Sequence, residues 1–147
     1  MNKHVEKEYK MLVSKEQFDK LCGLYENLNF ITQTNTYYDT VNRDIQKQKG
    51  AMRIRERNGR FLFTLKMRQE NLDGLCECEC EVSENSVHAL RSKEIVQLLQ
   101  EYHIEADIIP LTTLVTKRAI VETENAELCF DISTYGSHID YEIEYEY

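Results

Sequence analysis

The stretch "AMRIRERNGRFLFTLKMR", residues 51–68, decides the fold because it contains two alternating segments joined by a tight turn. In each half the side-chain type changes at every second residue, which is the period of a β-strand. Asn58-Gly59 at its centre is the strongest short signal for a two-residue hairpin turn. The stretch therefore predicts an antiparallel hairpin made of strands 51–57 and 60–68.

The same period of two recurs along most of the chain and predicts eight strands. Their ranges are 4–12, 33–39, 51–57, 60–68, 75–82, 112–122, 127–134 and 139–147. A helix is predicted to begin at Ser14, because Gln17 stands at capping-box spacing from it. An apolar stripe at helical spacing supports this helix: Phe18, Leu21, Cys22 and Tyr25. A second helical region covers about 84–102, with a restart expected at Ser92. The chain is predicted to be one α+β domain over residues 1–147.

The composition limits the possible classes of function. The chain has 147 residues, 41% of them hydrophobic and 30% charged, with a net charge of −8. A net negative field argues against generic binding to nucleic acid or to an anionic membrane, although it leaves room for a local basic site. No apolar run reaches the length of a signal peptide or a membrane-spanning helix. The protein is therefore expected in the cytoplasm, without a membrane partner.

The five cysteines are an odd number, and Cys76, Cys78 and Cys80 alternate along one predicted strand. Their spacing does not match a zinc site, and disulfides are not expected in a reducing compartment. We expect them to be small buried hydrophobic side chains.

Charges of opposite sign are sorted onto different strands. In a half-buried antiparallel sheet one charged, solvated face is normal, and this is the simplest interpretation of any single strand. Like charges directly across a strand pair, however, destabilise it by up to ~1 kcal/mol. Blocks of one sign therefore favour a ligand of the opposite charge. The cations on these faces are Lys10, Arg53, Arg55, Arg57, Lys66, Arg68 and Arg118, and the anions are Glu6, Glu8, Glu77, Glu79, Glu81, Asp131, Glu142, Glu144 and Glu146.

Eight antiparallel strands are enough to close a β-barrel, and the charged faces would then line its interior. Arg and Lys bind phosphate oxygens through charge-assisted hydrogen bonds, and clustered carboxylates bind hard divalent cations such as Mg²⁺ or Mn²⁺. A polyphosphate complexed with such a metal satisfies both sets of charges.

The segment Glu6-x-Glu8-x-Lys10 resembles the E-x-E-x-K signature of the CYTH superfamily, the triphosphate tunnel metalloenzymes. The resemblance runs from about residue 4 to the end of the chain and is to the small single-domain bacterial members. It implies an eight-stranded antiparallel tunnel with a charged interior and flanking helices, which binds a small-molecule triphosphate and hydrolyses a phosphoanhydride with Mg²⁺ or Mn²⁺. Further elements follow in the family's order: "TYYDT" (36–40), "RIRER" (53–57), "FTLKMR" (63–68), "ECECE" (77–81), "TKR" (116–118), "LCFDISTYG" (128–136) and "DYEIEYE" (140–146).

The resemblance also implies roles for individual residues. Lys10, Glu6 and Glu8 match the catalytic signature, and Arg57 and Glu146 are placed at the tunnel mouths. The phosphate clamp is matched by Lys10, Arg53, Arg55, Lys66, Arg68 and Arg118. The metal ligands are matched by Glu6, Glu8, Asp131, Glu142 and Glu144, with Glu79 and Glu81 as further candidates.

Two alternatives to a triphosphatase stay open from the sequence: an adenylyl cyclase of the class IV type, and a non-catalytic sensor of polyphosphate or nucleotides. The chain ends at Tyr147, flush with the last predicted strand, whereas the resemblance implies further C-terminal helical material. We therefore expect either a short or a truncated version of the domain. The strands carry more outward-facing apolar side chains than two helices could cover. We therefore expect a homodimer interface, or residues missing from this sequence, to cover the rest. These side chains are Phe61, Phe63, Leu65, Met67, Tyr141, Ile143 and Tyr145.

Overall fold

The computed structural model describes residues 1–69 and 74–147. The strands of this part of the chain are β1 Asn2–Glu6, β2 Glu8–Val13, β3 Ile31–Thr40, β4 Ala51–Arg57, β5 Arg60–Arg68, β6 Leu75–Val82, β7 Ile108–Glu122, β8 Glu127–Tyr135 and β9 His138–Glu146. The helices are α1 Lys15–Cys22, α2 Asp44–Lys47 and α3 Lys93–Glu101, and a 3₁₀ helix at His88–Arg91 precedes α3. No helix among these residues is both long enough and apolar enough to cross a membrane.

The nine strands form one sheet with the hydrogen-bonding order β1-β6-β5-β4-β3-β7-β8-β9-β2. The pairs β4–β5, β5–β6, β7–β8, β8–β9 and β2–β9 are antiparallel, which confirms the predicted α+β class. The chain divides into two compact units. The first unit contains 1–5 and 35–113, and the second unit contains 6–34 and 114–147. The single domain predicted over 1–147 stays a prediction.

The sheet has nine strands instead of the predicted eight because the segment predicted as strand 4–12 is divided at Lys7. Lys7 is the residue that interrupts the alternation of side-chain types in this segment. Its backbone exchanges two hydrogen bonds with Tyr147: the Lys7 N–H donates to the Tyr147 carbonyl at 3.2 Å, and the Tyr147 N–H donates to the Lys7 carbonyl at 2.9 Å.

The predicted turn and helix starts are confirmed. Asn58 and Gly59 both have positive φ angles, 55° and 75°, as a type I′ hairpin turn requires. Ser14 and Gln17 form the reciprocal capping box at the start of α1. Ser92 begins α3, because its Oγ accepts a hydrogen bond of 3.3 Å from the Ile95 N–H. The second helical region therefore restarts at Ser92, as expected.

The core of the first unit lies between α3 and one face of β4, β5 and β6. Phe63, Leu65 and Met67 point into this core and are almost completely buried. Ile95, Leu98 and Leu99 supply the apolar face of α3. Helices of the same unit cover Phe63, Leu65 and Met67, so these three are not among the apolar side chains left for a homodimer or missing residues to cover.

The core of the second unit is formed by α1 against β7, β8 and β9. The ring of Phe18 lies 6.0 Å from that of Phe130 and 5.2 Å from that of Tyr141. Ile143 is buried in the same cluster, so it too is covered within its own unit. Tyr145 is 40% exposed, and its ring packs against that of Tyr147 with the two centroids 5.6 Å apart.

All five cysteines are free thiols. Cys78 and Cys129 are buried, as expected, and the other three are half-buried.

Candidate functional site

A group of carboxylates in the second unit forms where β2 pairs with β9. The register places Glu8 opposite Glu146 and Lys10 opposite Glu144. Directly opposite residues point to the same face of a sheet, so alternation brings all four side chains to one face. Glu6 joins them, and one carboxylate oxygen each from Glu6, Glu8 and Glu146 lie within 4.8 Å of one another. We call these three residues the acidic cluster.

Arg118 is the most strongly bound cation of the second unit. Its Nε and Nη2 donate to Oδ1 and Oδ2 of Asp131, both at 2.7 Å, and Nη2 also donates to Oε2 of Glu144 at 3.2 Å. Only 13% of the Arg118 side chain is exposed. Burial alone would lower the pKa of Arg118, but the hydrogen bonds and charge of Asp131 outweigh it and raise that pKa above its ordinary value. Arg118 is therefore held as a fixed positive charge.

Glu144 links this arginine to Lys10. Its side chain is only 3% exposed, and its Oε2 is 3.8 Å from the Lys10 Nζ. Burial by itself raises the pKa of Glu144, but hydrogen bonds with Glu146 and Glu8, together with the charges of Lys10 and Arg118, lower it below its ordinary value. Glu144 is thus an ionised carboxylate that lies beside the carboxyl groups of Glu8 and Glu146 and beside two cations.

Glu142 lies next to this group, with its Oε2 3.9 Å from the Lys10 Nζ. Burial raises the pKa of Glu142, and the charge of Lys10 lowers it only in part. The register places Glu142 opposite Asp131, so the metal ligands predicted on β8 and β9 share one face. Both oxygens of Asp131 accept hydrogen bonds from Arg118, whereas Glu146, predicted at a tunnel mouth, belongs to the acidic cluster.

The predicted phosphate clamp of the first unit lies on β4 and β5. Arg53 stands opposite Thr64, Arg55 opposite Leu62, and Lys66 follows Thr64 by two residues on the same face. Arg55 is half-buried, and its Nε donates a hydrogen bond of 2.7 Å to Asn35 Oδ1. We call Arg53, Arg55 and Lys66 the basic cluster.

Glu77 is a partner of the basic cluster that the sequence placed on the charged face without assigning it a role. It stands opposite Lys66, whose Nζ lies 3.4 Å from Glu77 Oε2. His4 Nε2 lies 3.2 Å from the other oxygen of Glu77 and 3.8 Å from Glu79 Oε1. Glu77 is the most buried glutamate of β6. The alternation of side-chain types along the strand predicts its face but not its degree of burial.

Three of the predicted residues lie at the exposed ends of strands in the first unit. Arg57 and Arg68 are exposed at the ends of β4 and β5. Glu81 is also exposed, and its Oε1 lies 3.8 Å from the Nε of Arg60. The assignments of Arg68 to the clamp and of Glu81 to a metal stay predictions.

Comparisons with known proteins support a common fold and family. A family model described as "CYTH domain" matches residues 4–147. A protein of Bacillus subtilis (strain 168) with the name "Putative triphosphatase YjbK" is 32% identical over 153 residues, covering 99% of this chain and 79% of that protein.

Two solved structures are also similar. A Bacillus halodurans protein described as "a putative adenylate cyclase" has a TM-score of 0.89 and 35% identity, covering 100% of this chain and 82% of that one. HpAC1 from Hippeastrum, described as having a dominant triphosphatase activity, has a TM-score of 0.71 and 23% identity, with coverage of 97% and 79%. At 23% identity the second likeness shows the fold alone.

Proposed function

Because the chain belongs to the CYTH domain family, we propose that it hydrolyses a phosphoanhydride bond of a small-molecule triphosphate with the help of a divalent cation. The single observation that supports this most strongly is the acidic cluster, Glu6, Glu8 and Glu146. Three carboxylates so close together repel one another unless protons or a cation lie between them.

The donor set of the acidic cluster fits a hard divalent cation. Mg²⁺ and Mn²⁺ prefer oxygen ligands, and the oxygens around an octahedral Mg²⁺ are about 3–4 Å apart. The oxygens of Glu6, Glu8 and Glu146 lie within 4.8 Å of one another, so small side-chain rotations would bring them to that spacing. When bound, such a cation neutralises phosphate charge and polarises the bonds to phosphorus.

The cations of the chain would bind the substrate. We propose phosphate-binding roles for Arg53, Arg55, Lys66 and Arg68 of the first unit, and for Lys10 and Arg118 of the second unit. Phosphoryl transfer needs mainly positioning and neutralisation of charge. Asp131 and Glu144 hold the guanidinium of Arg118 in one orientation, so little side-chain ordering would remain to be done when phosphate binds.

Glu142 and Glu79 are kept as further metal ligands in this proposal, and Glu81 is the most peripheral of them. Asp131 is a less favourable metal ligand, because both of its carboxylate oxygens already accept hydrogen bonds from Arg118. A divalent cation would have to compete with that pair.

The experiment is product analysis with the purified protein. Inorganic tripolyphosphate and ATP are incubated with Mg²⁺ or Mn²⁺, and orthophosphate, pyrophosphate and cyclic AMP are resolved by chromatography. Orthophosphate or pyrophosphate without cyclic AMP is expected. Intact substrates under all conditions would contradict the proposal.

An adenylyl cyclase is the second candidate. It is favoured by the 35% identity with the Bacillus halodurans protein described above, and cyclic AMP formation from ATP in the same assay would identify it. Cytoplasmic location and a homodimer stay predictions.

A further inference from the structure

Thr64 is a buried hydroxyl in the basic part of the first unit. It lies in the middle of β5 and is 1% exposed. Its Oγ1 has no hydrogen-bond partner among the residues that the structure describes. A buried polar group without a partner costs free energy, so such a group in a native protein calls for a specific explanation.

The neighbours of Thr64 on its face are charged. Arg53 stands opposite it on β4, and Glu79 stands opposite it on β6. The Nε of Arg53 is also buried and also lacks a partner within the described ranges 1–69 and 74–147. The register thus places two buried groups that can donate hydrogen bonds, and that have no partner in the described chain, directly opposite each other on neighbouring strands.

The other two cations of the basic cluster differ in this respect. Lys66 lies 3.4 Å from Glu77, and Arg55 donates to Asn35 at 2.7 Å. Oxygen atoms of the protein therefore already accept some of the hydrogen bonds and ion pairs that Lys66 and Arg55 can form. In contrast, the Nε of Arg53 and the Oγ1 of Thr64 opposite it have no protein acceptor in the described chain.

The chemistry of the two groups selects the ligand. A guanidinium Nε–H can only donate, and a threonine hydroxyl can donate by rotating about its C–O bond. An oxygen with lone pairs and negative charge satisfies both, because charge-assisted hydrogen bonds are about twice as strong as neutral ones. A phosphate oxygen has these properties.

We propose that Thr64 is a substrate-binding residue whose hydroxyl donates, together with the Nε of Arg53, to a phosphate oxygen of the triphosphate. This rests on the proposed function and extends it, since it adds an uncharged ligand to a clamp otherwise made of Arg and Lys. The alternative role for Thr64 is purely structural, with an ordered water as its partner.

The test uses Thr64→Val, which keeps the shape of the side chain and removes the hydroxyl, and Thr64→Ser, which keeps the hydroxyl. Thr112→Val is the matched control, because Thr112 is an exposed β-branched residue on β7 of the same unit. Binding of inorganic tripolyphosphate is measured by titration calorimetry in EDTA, where no metal-dependent turnover occurs. Thermal unfolding of each variant is recorded in parallel.

Thr64→Val should bind tripolyphosphate roughly ten- to a hundred-fold more weakly than the wild type. This is the loss of affinity expected when a hydrogen bond to a charged group is removed. Thr64→Ser and Thr112→Val should bind within about threefold of the wild type. Thr64→Val should also unfold at the same temperature as the wild type or higher, because a buried, unpaired hydroxyl is removed.

Unchanged binding by folded Thr64→Val would overturn the inference and leave the proposed function standing. A wild-type protein that binds tripolyphosphate but hydrolyses no triphosphate would overturn the proposed function and leave the inference standing. Absence of tripolyphosphate binding by the wild type in EDTA would overturn the inference, and the product analysis with Mg²⁺ or Mn²⁺ would decide the proposed function separately.

Discussion

Asp131→Ala should destabilise the protein far more than the loss of an ordinary surface ion pair. The Asp131 carboxylate accepts two hydrogen bonds of 2.7 Å from Arg118, and both side chains are largely buried. Removing one partner of a buried pair leaves an uncompensated charge and costs about 3–5 kcal/mol. Glu144 still contacts Arg118 at 3.2 Å, so we expect the lower end, about 3 kcal/mol. For a chain of this size the unfolding temperature should fall by about 10 °C.

Asp19→Ala is the matched control, because Asp19 contacts Lys15 at a similar distance of 2.8 Å. These two side chains are 59% and 69% exposed, and solvent screens the pair. An exposed i, i+4 pair contributes about 0.3–0.5 kcal/mol. The assay is urea unfolding of wild type and both variants at pH 7, followed by circular dichroism. Equal losses of stability in the two variants would refute the reasoning, since distance and not burial would then decide the energy.

Three further outcomes are expected. Ser14→Ala should lower the free energy of unfolding by about 1 kcal/mol, because the capping box of α1 is lost; no change in urea unfolding would contradict this. Gly50→Ala should destabilise by more than about 1 kcal/mol, because the added Cβ would lie 2.7 Å from the Lys66 carbonyl oxygen; an unchanged melting temperature would count against it. Burial raises the pKa of Cys78 to about 11 and that of Cys129 to about 12. Neither thiol should react promptly with DTNB at pH 7.5 in the native protein, and modification of either one within minutes, mapped by mass spectrometry, would contradict the expectation.

The alternation of side-chain types predicted the antiparallel sheet because several strands, β4, β5, β6 and β9 among them, have one apolar and one charged face. The turn at Asn58-Gly59 and the helix starts at Ser14 and Ser92 were predictable because their signals are local in sequence. The short helix α2 was not predicted, since four residues give no helical period. It depends on Asp39, whose carboxylate accepts hydrogen bonds from the Ile45 and Gln46 N–H groups.

The residues of the charged faces were predictable, but their pairing was not. Alternation shows which side of a strand Glu77 or Glu146 occupies, whereas the register between strands decides which cation or carboxylate lies opposite. Glu77 is bound by Lys66 because the register places them face to face. Glu146 meets Glu8 for the same reason. Register depends on contacts between distant segments, which a single sequence does not contain.

The central claim is that Glu6, Glu8 and Glu146 hold the divalent cation needed for hydrolysis. The most direct measurement is orthophosphate release from tripolyphosphate as a function of Mg²⁺ and Mn²⁺ concentration, in the wild type and in Glu8→Gln. The wild type should lose activity in EDTA and regain it with metal, and Glu8→Gln should be at least about a hundred-fold slower while unfolding at a similar temperature. Metal-dependent rates of Glu8→Gln equal to those of the wild type would contradict the account.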